Sequence, residues 1–175
     1  MLVILAALAL FATACSAQVA RAEPAAPKAA TYEAMLGESV NKKAVADFIA
    51  SNCTPSGSLQ VCQPAGLALW TDADQIVRIA YLYIDNAEGF AAYKGKLPFG
   101  LTANDTMADV EYKLGHPKVI HAPQAGWEPG LPDEGYSRDH TTYLAIYKRF
   151  GLALVYNTPA SIDKGATIKV ILISK

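Results

Sequence analysis

The sequence predicts an α+β fold of two tandem repeats, each a helix packed on one face of a small antiparallel sheet. Three observations carry this expectation. The tetrapeptide Gly66-Leu67-Ala68-Leu69 returns unchanged as Gly151-Leu152-Ala153-Leu154, and at the same offset Leu59 meets Leu144 and Val61 meets Ile146. A further apolar segment follows each copy, Val77 to Leu82 and Ile168 to Ile173, and a helical pattern precedes each. Self-similarity at a fixed offset is the mark of a supersecondary unit used more than once.

Residues 36–85 form the first expected repeat, 86–96 a connector and 97–175 the second repeat. The first helix takes Ser39 or Asn41 as its cap, and Val45, Phe48 and Ile49 fall on one stripe at i, i+3 and i+4. In the second, Thr106 caps with Asp109 three residues on, Met107, Val110 and Leu114 make the stripe, and Gly115 and Pro117 end the helix. Period-two alternation in a half-buried sheet turns Leu59, Val61, Leu67 and Leu69, with Leu144, Ile146, Leu152 and Leu154, towards the helices. Trp70, Arg78, Tyr143, Ala145, Tyr147 and Ala153 then share the opposite surface, where large rings among small residues suit a partner.

The chain has 175 residues, 52% of them hydrophobic, which is ample for a packed core. A formal net charge of -1, with no long Lys/Arg run, leaves no electrostatic surplus for a phosphate backbone, so nucleic acid is not an expected partner. The apolar run from Leu2 to Phe11 is too short to cross a bilayer core, which takes about 20 residues, and fits the apolar stretch of a secretory signal. It ends in Ala12-Thr13-Ala14-Cys15, which resembles the lipobox of bacterial lipoproteins. That resemblance implies removal of 1–14 as a signal peptide, lipid on Cys15, and anchorage at the periplasmic face of a bacterial membrane, the outer membrane in particular. The alternative is an ordinary secreted protein, cut after Ala14 or after Ala20-Arg21-Ala22. Residues 15–35, with Pro24 and Pro27 and few large apolar side chains, read as a flexible tether.

Three cysteines are an awkward number for an exported chain, and lipidation of Cys15 leaves an even pair. Cys53 and Cys62 enclose a Pro-Ser-Gly-Ser turn signal, so an oxidising compartment is expected to close a bridge between them, against the alternative of two packed thiols.

Motifs for chemistry are sparse. No Gly-x-Ser-x-Gly elbow, phosphate-cradling glycine loop, His-Glu-x-x-His or Cys-x-x-Cys occurs, and the expectation is no enzyme, no cofactor and no metal. His116, His121 and His140, with Asp139 or Glu134 as conceivable co-ligands, read as solvated loop histidines. Asp72 and Asp74 read as turn residues rather than a catalytic pair, and the Asn-x-Thr triplets at Asn52 and Asn104 as helix ends and caps. The segment from His116 to Thr141 is the extra length of the second copy and places Trp127 among Pro and Gly, either as an exposed anchor for a partner or folded back to cover an edge of the sheet.

Leu97-Pro98-Phe99-Gly100-Leu101, Thr106 to Val110, and Leu114-Gly115-His116-Pro117 together resemble the signature of small envelope lipoproteins of the outer-membrane assembly (SmpA/OmlA) type. The same stretch, with the cysteine-flanked loop from Asn52 to Cys62, is similar to the tandem unit of the β-lactamase inhibitory protein family. The first copy lacks the Gly-Met-Thr opening and the Leu-Gly ending, and the second has no cysteines, so β-lactamase inhibition itself is not carried over. The resemblance implies an exported protein-binding module of inhibitor or immunity type, holding an unidentified periplasmic or extracellular protein. The alternative is an accessory structural lipoprotein of an envelope assembly complex. The expected partner-binding residues are Trp70, Arg78, Trp127, Tyr143 and Tyr147.

Overall fold

The computed structural model describes residues 31–117, 119–121, 143–157 and 163–175. Eight strands make one antiparallel sheet: β1 (Thr54–Ser56), β2 (Leu59–Cys62), β3 (Leu67–Thr71), β4 (Val77–Tyr83), β5 (Val119–His121), β6 (Tyr143–Tyr147), β7 (Leu152–Tyr156) and β8 (Ile168–Ser174). Their spatial order is β1-β2-β3-β4-β8-β7-β6-β5. Helices are few: α1 (Tyr32–Met35) and α2 (Lys43–Asn52) precede the strands, and α3 (Met107–Leu114) stands alone between β4 and β5.

This architecture corrects the expected α+β tandem repeat. The described residues are mostly one continuous antiparallel sheet with three short helices, not two helix-plus-sheet units in series. β4 and β8, the longest strands, pair directly from Ile79↔Ser174 to Tyr83↔Val170, so the hydrogen-bond ladder runs unbroken through the middle of the sheet. The repeated tetrapeptide has a local cause. Each copy enters its strand from a 3-10 turn (Gln63–Ala65 and Lys148–Phe150), and Gly66 and Gly151 hold left-handed conformations at the junction. Each also lies so close to another stretch of backbone, Ala91 to Tyr93 for Gly66 and Ser174 for Gly151, that a β-carbon has no room. Identical turn chemistry therefore recurs wherever this hairpin geometry is used.

The helices lie on one side. Tyr32 and Met35 of α1, Val45 and Phe48 of α2, and Met107, Val110 and Leu114 of α3 bury into a single cluster with Leu67, Leu69, Leu82, Leu154 and Ile171. The stripe of α2 is as expected, although its N-cap is Lys42, and the Ser39 hydroxyl accepts instead from the Asn41 amide. α3 has the full capping box: the Thr106 hydroxyl accepts from the Asp109 amide, and the Asp109 carboxylate accepts from the Thr106 amide. Gly115 ends it at φ 78° and ψ -179°, a region open essentially to glycine alone.

A second apolar cluster lies across the sheet from the helices, built on Leu59, Ala68, Tyr81, Leu144, Val155 and Leu172 among others. β7 is buried along its whole length, and β4 at every residue but Arg78. The expectation of a half-buried sheet, polar on its second side, is thus corrected: Leu-Ala-Leu-Val-Tyr is a near-continuous apolar run because both of its faces are covered. The expected facing is also corrected for half the strands. Cross-strand partners share a face, and Cys62↔Leu67 and Tyr147↔Leu152 join an even-numbered residue to an odd one or the reverse. Numerical parity therefore inverts across each 3-10 turn. Leu67, Leu69, Leu152 and Leu154 do face the helices, whereas Leu59, Val61, Leu144 and Ile146 lie on the other side, and Ala145 and Tyr147 move to the helix side.

Cys53, at the end of α2, and Cys62, at the end of β2, form a disulfide. The bridge closes the outer corner of the sheet, where β1 is a fully exposed three-residue edge strand containing Pro55. Replacing both cysteines by serine should lower stability by about 2–3 kcal/mol, the loop-closure value for so short a ring. Mass spectrometry after alkylation without reduction reads the bond itself, since full labelling of both thiols would show it open. Leu154→Ala, at a position fully buried beneath the helices, should cost about 2–5 kcal/mol in denaturant unfolding.

Candidate interaction surface

The side of the sheet opposite the helices is the surface on which a partner was expected. Its centre is closed: Tyr81 and Ala68 have no exposure, and Leu172 is 2% exposed. Tyr83 stacks on Phe90, with ring centroids 3.6 Å apart and planes nearly parallel, so the turn Ala87–Gly89 and Phe90 cover one end. The flanks are more open. Trp70 and Val61 near the β2 edge, and Ile146 on β6, are half-buried and pack against this second cluster.

The expected binding residues separate in the fold. Trp70 lies on the helix-free side, cross-strand from Leu59 and Ile79. Arg78 is the extra residue of a β-bulge, because Trp70 pairs with Ile79 but Thr71 pairs with Val77. Its guanidinium donates to Asp72 at 2.6 Å, and Asp72 accepts in turn from the amides of Asp74 and Ile76, so Arg78 fastens the β3-β4 turn. Asp72 is thereby the turn residue its position suggested. Backbone donation from Ile76, then the Arg78 contact, hold its carboxyl below the ordinary range.

Tyr147 does not belong to this surface. It is 3% exposed among the helix-side residues, and burial, reinforced by the nearby Glu111 charge, pushes its phenol up to about 12. Tyr156 is fully buried and is raised further, by burial first and then by Tyr147 and Glu111. The backbone of Tyr143 pairs with Tyr156, while its side chain lies outside the described residues. Cys15 and Trp127 also lie outside them, as does His140. His116 is exposed, with Nδ1 3.4 Å from the Glu111 carboxylate, and Glu111 also pairs with Lys164. Among the described residues no three His, Cys, Asp or Glu side chains come together as metal ligands, and no helix is long and apolar enough to cross a membrane.

A different exposed feature escaped sequence reasoning. Phe99, 47% exposed, holds a left-handed backbone at φ 54° and packs against Phe150, with centroids 4.8 Å apart. The Arg149 guanidinium sits over the Phe150 ring, 4.5 Å from its centroid, and donates to the Leu114 carbonyl at the C-terminus of α3. Lys113 reaches from α3 to the Gly100 carbonyl at 3.0 Å and to Asp105 at 2.6 Å. Burial works against the Asp105 charge, but donation from Lys113 and Thr102 outweighs it and holds the carboxyl low. The only sequence signal for this corner is an aromatic set between Pro98 and Gly100.

The titrating groups fix two pH limits. Asp72, Asp105 and Asp109 all have lowered carboxyls, so their contribution is present above the unfolded value of about 3.9 and is lost as pH falls below it. Tyr147 and Tyr156 are raised, so theirs is full below about 10, the unfolded phenol value, and is lost as pH rises through the folded values. Melting midpoints followed from pH 2 to 12 should therefore be flat between about 5 and 9 and fall on both sides. A midpoint unchanged at pH 2.5 would remove the carboxylate account. Tyr147→Ala should behave as a core truncation costing about 3–5 kcal/mol, not as a loss of a surface contact.

The chain matches no family model, no curated protein and no solved structure.

Proposed function

We propose that the protein is an exported, lipid-anchored binding module of inhibitor or immunity type that holds another protein against the helix-free side of its sheet. One observation carries the reading: the three described helices bury on one side, while the apolar cluster across the sheet, closed at its centre, leaves a half-buried flank at Trp70 and Val61. A half-buried tryptophan beside apolar neighbours is the residue type that dominates interface energetics. The Cys53–Cys62 bridge is in keeping with an oxidising compartment, and the lipobox-like Ala12-Thr13-Ala14-Cys15 supports an anchor at Cys15. No catalytic role is part of the proposal.

Two measurements test the two halves of this reading. Cys15→Ser should move the protein from the membrane to the soluble fraction of fractionated cells, and a variant that stays with the membrane would place the anchor elsewhere. Affinity purification from envelope extract should retain a partner whose binding weakens by about 2 kcal/mol, close to thirtyfold, in Trp70→Ala. Equal retention by Trp70→Ala and the unsubstituted chain would remove this side of the sheet from the interface. A partner lost on deletion of the gene together with detergent resistance would favour the envelope-assembly role.

A further inference from the structure

The Cys53–Cys62 bond lies at the outer edge of the sheet, where β1 has little else to hold it. Extending the β1-β2 register one step beyond Thr54↔Val61 sets Cys53 directly opposite Cys62. The bond therefore closes the open end of this hairpin, and Gly57 and Ser58 turn its other end. Between the two ends β1 contributes three register pairs and no burial, since Thr54, Pro55 and Ser56 are all exposed. Three paired residues without a buried face give little to keep a strand in place in water. On the other side of Cys53, Val45, Phe48 and Ile49 hold α2, while Ser51 is exposed and Asn52 half-buried, so the bridge is the last firm point before β1.

β1 is also what pairs with the outer edge of β2, whose Leu59 and Val61 belong to the same cluster as Trp70. Thr54 and Ser56, cross-strand from Val61 and Leu59, border that cluster on its outer side. β2 is held independently of them, by four register pairs to β3 and by Cys62 in the helix-side cluster. The two sulfurs are unequal in access. Cys62 is fully buried and Cys53 half-buried, so an attacking thiolate meets Cys53. The Cys62 sulfur lies 3.5 Å from the Gln60 carbonyl oxygen, which is an acceptor already in place for the proton of a reduced Cys62.

We propose that the Cys53–Cys62 bond is a redox latch on the Trp70 flank: a dithiol opens it, β1 leaves the edge of the sheet, and the Leu59 and Val61 side of the flank is uncovered. One thiolate of the dithiol attacks the Cys53 sulfur, the S–S bond breaks, and Cys62 leaves as a thiolate. The second thiolate of the dithiol displaces Cys53 from the mixed disulfide. The dithiol ends as a disulfide, having passed two electrons to the bridge, and its two protons end on Cys53 and Cys62. The bridged chain thus presents a flank bounded by β1, and the reduced chain a wider flank with the edge of β2 open to another strand. The consequence for a partner rests on the binding surface proposed above, whereas the latch is a property of this chain alone.

Backbone order parameters from nitrogen-15 relaxation, measured on the full chain carrying Cys15→Ser before and after reduction with dithiothreitol, test the latch without a partner. In the bridged chain Thr54, Ser56, Ala80 and Leu172 should all read about 0.85, the value of rigid backbone. After reduction, with both thiols shown free by alkylation, Thr54 and Ser56 should fall below about 0.6 while Ala80 and Leu172 stay rigid. Cys53→Ala with Cys62→Ala, which needs no reductant, should give the reduced pattern. Rigid Thr54 and Ser56 in the reduced chain or in this double variant overturn the proposal. So does loss of rigidity at all four positions, which would make the bond a tie of the whole fold, and so does a bond that dithiothreitol reaches only in denaturant. Retention of a partner from envelope extract by the bridged and reduced chains side by side reads the consequence. A partner retained in neither state defeats the binding reading and leaves the relaxation result standing.

Discussion

Five register pairs between β4 and β8 hold the molecule together as one sheet. Each of these strands is seven residues long, and together they bring Tyr81 opposite Leu172 and Leu82 opposite Ile171, with one pair on each side of the sheet. Every other strand is added outward from this seam by hairpin or longer connection, β3, β2 and β1 on one side, and β7, β6 and β5 on the other. The seam joins residues from opposite halves of the chain, so its closure entropy must be met before either flank gains its full burial. The ties around it fit that role. The bulge at Arg78 is fastened by Asp72, and a second irregularity between Val155 and Tyr156 lies beside Lys169, which pairs with Glu88 at 3.3 Å.

A sheet buried on both sides changes what its side chains are for. In a half-buried sheet an outward tyrosine is a surface feature, and Tyr147 was read so from its parity. The 3-10 turn at Lys148–Phe150 inverts that parity, and Tyr147 becomes a buried phenol held neutral far above its ordinary range. The same inversion at Gln63–Ala65 carries Leu59 and Val61 to the side of Trp70. Trp70 is consequently the one expected binding residue that the described structure places, half-open, on the helix-free side, with Arg78 spent on the turn beside it.

Local chemistry was the legible part of this sequence. The capping box of α3, the stripes of α2 and α3, the Asp72 turn and the cysteine bridge each depend on residues a few positions apart, and each is where the spacing put it. The sheet order was not legible, because the β4-β8 pairing leaves no mark within either strand beyond a near-continuous apolar run. That run was the available signal: Leu-Ala-Leu-Val-Tyr and Val-Ile-Leu-Ile contain too few polar positions for strands wet on one side. The repeated tetrapeptide pulled the other way, since identical turn chemistry at two hairpins looks like a duplicated unit when only sequence is seen.

The Phe99 corner shows why an exposed site is harder to read than a buried one. Nothing in Leu97-Pro98-Phe99-Gly100-Leu101 says which of its apolar side chains turns outward, and Leu97 and Leu101 are in fact 8% and 5% exposed while Phe99 stands at 47%. The difference comes from a backbone turn. The left-handed φ at Phe99, followed by another at Gly100, swings one ring out between two buried leucines and onto Phe150. A glycine at 99 would hold the same backbone with less strain but would give up the contact with Phe150. Among the described residues the ring is held by Phe150, over which the Arg149 guanidinium sits while it donates to the Leu114 carbonyl, so the exposed aromatic is built into the contact that ends α3.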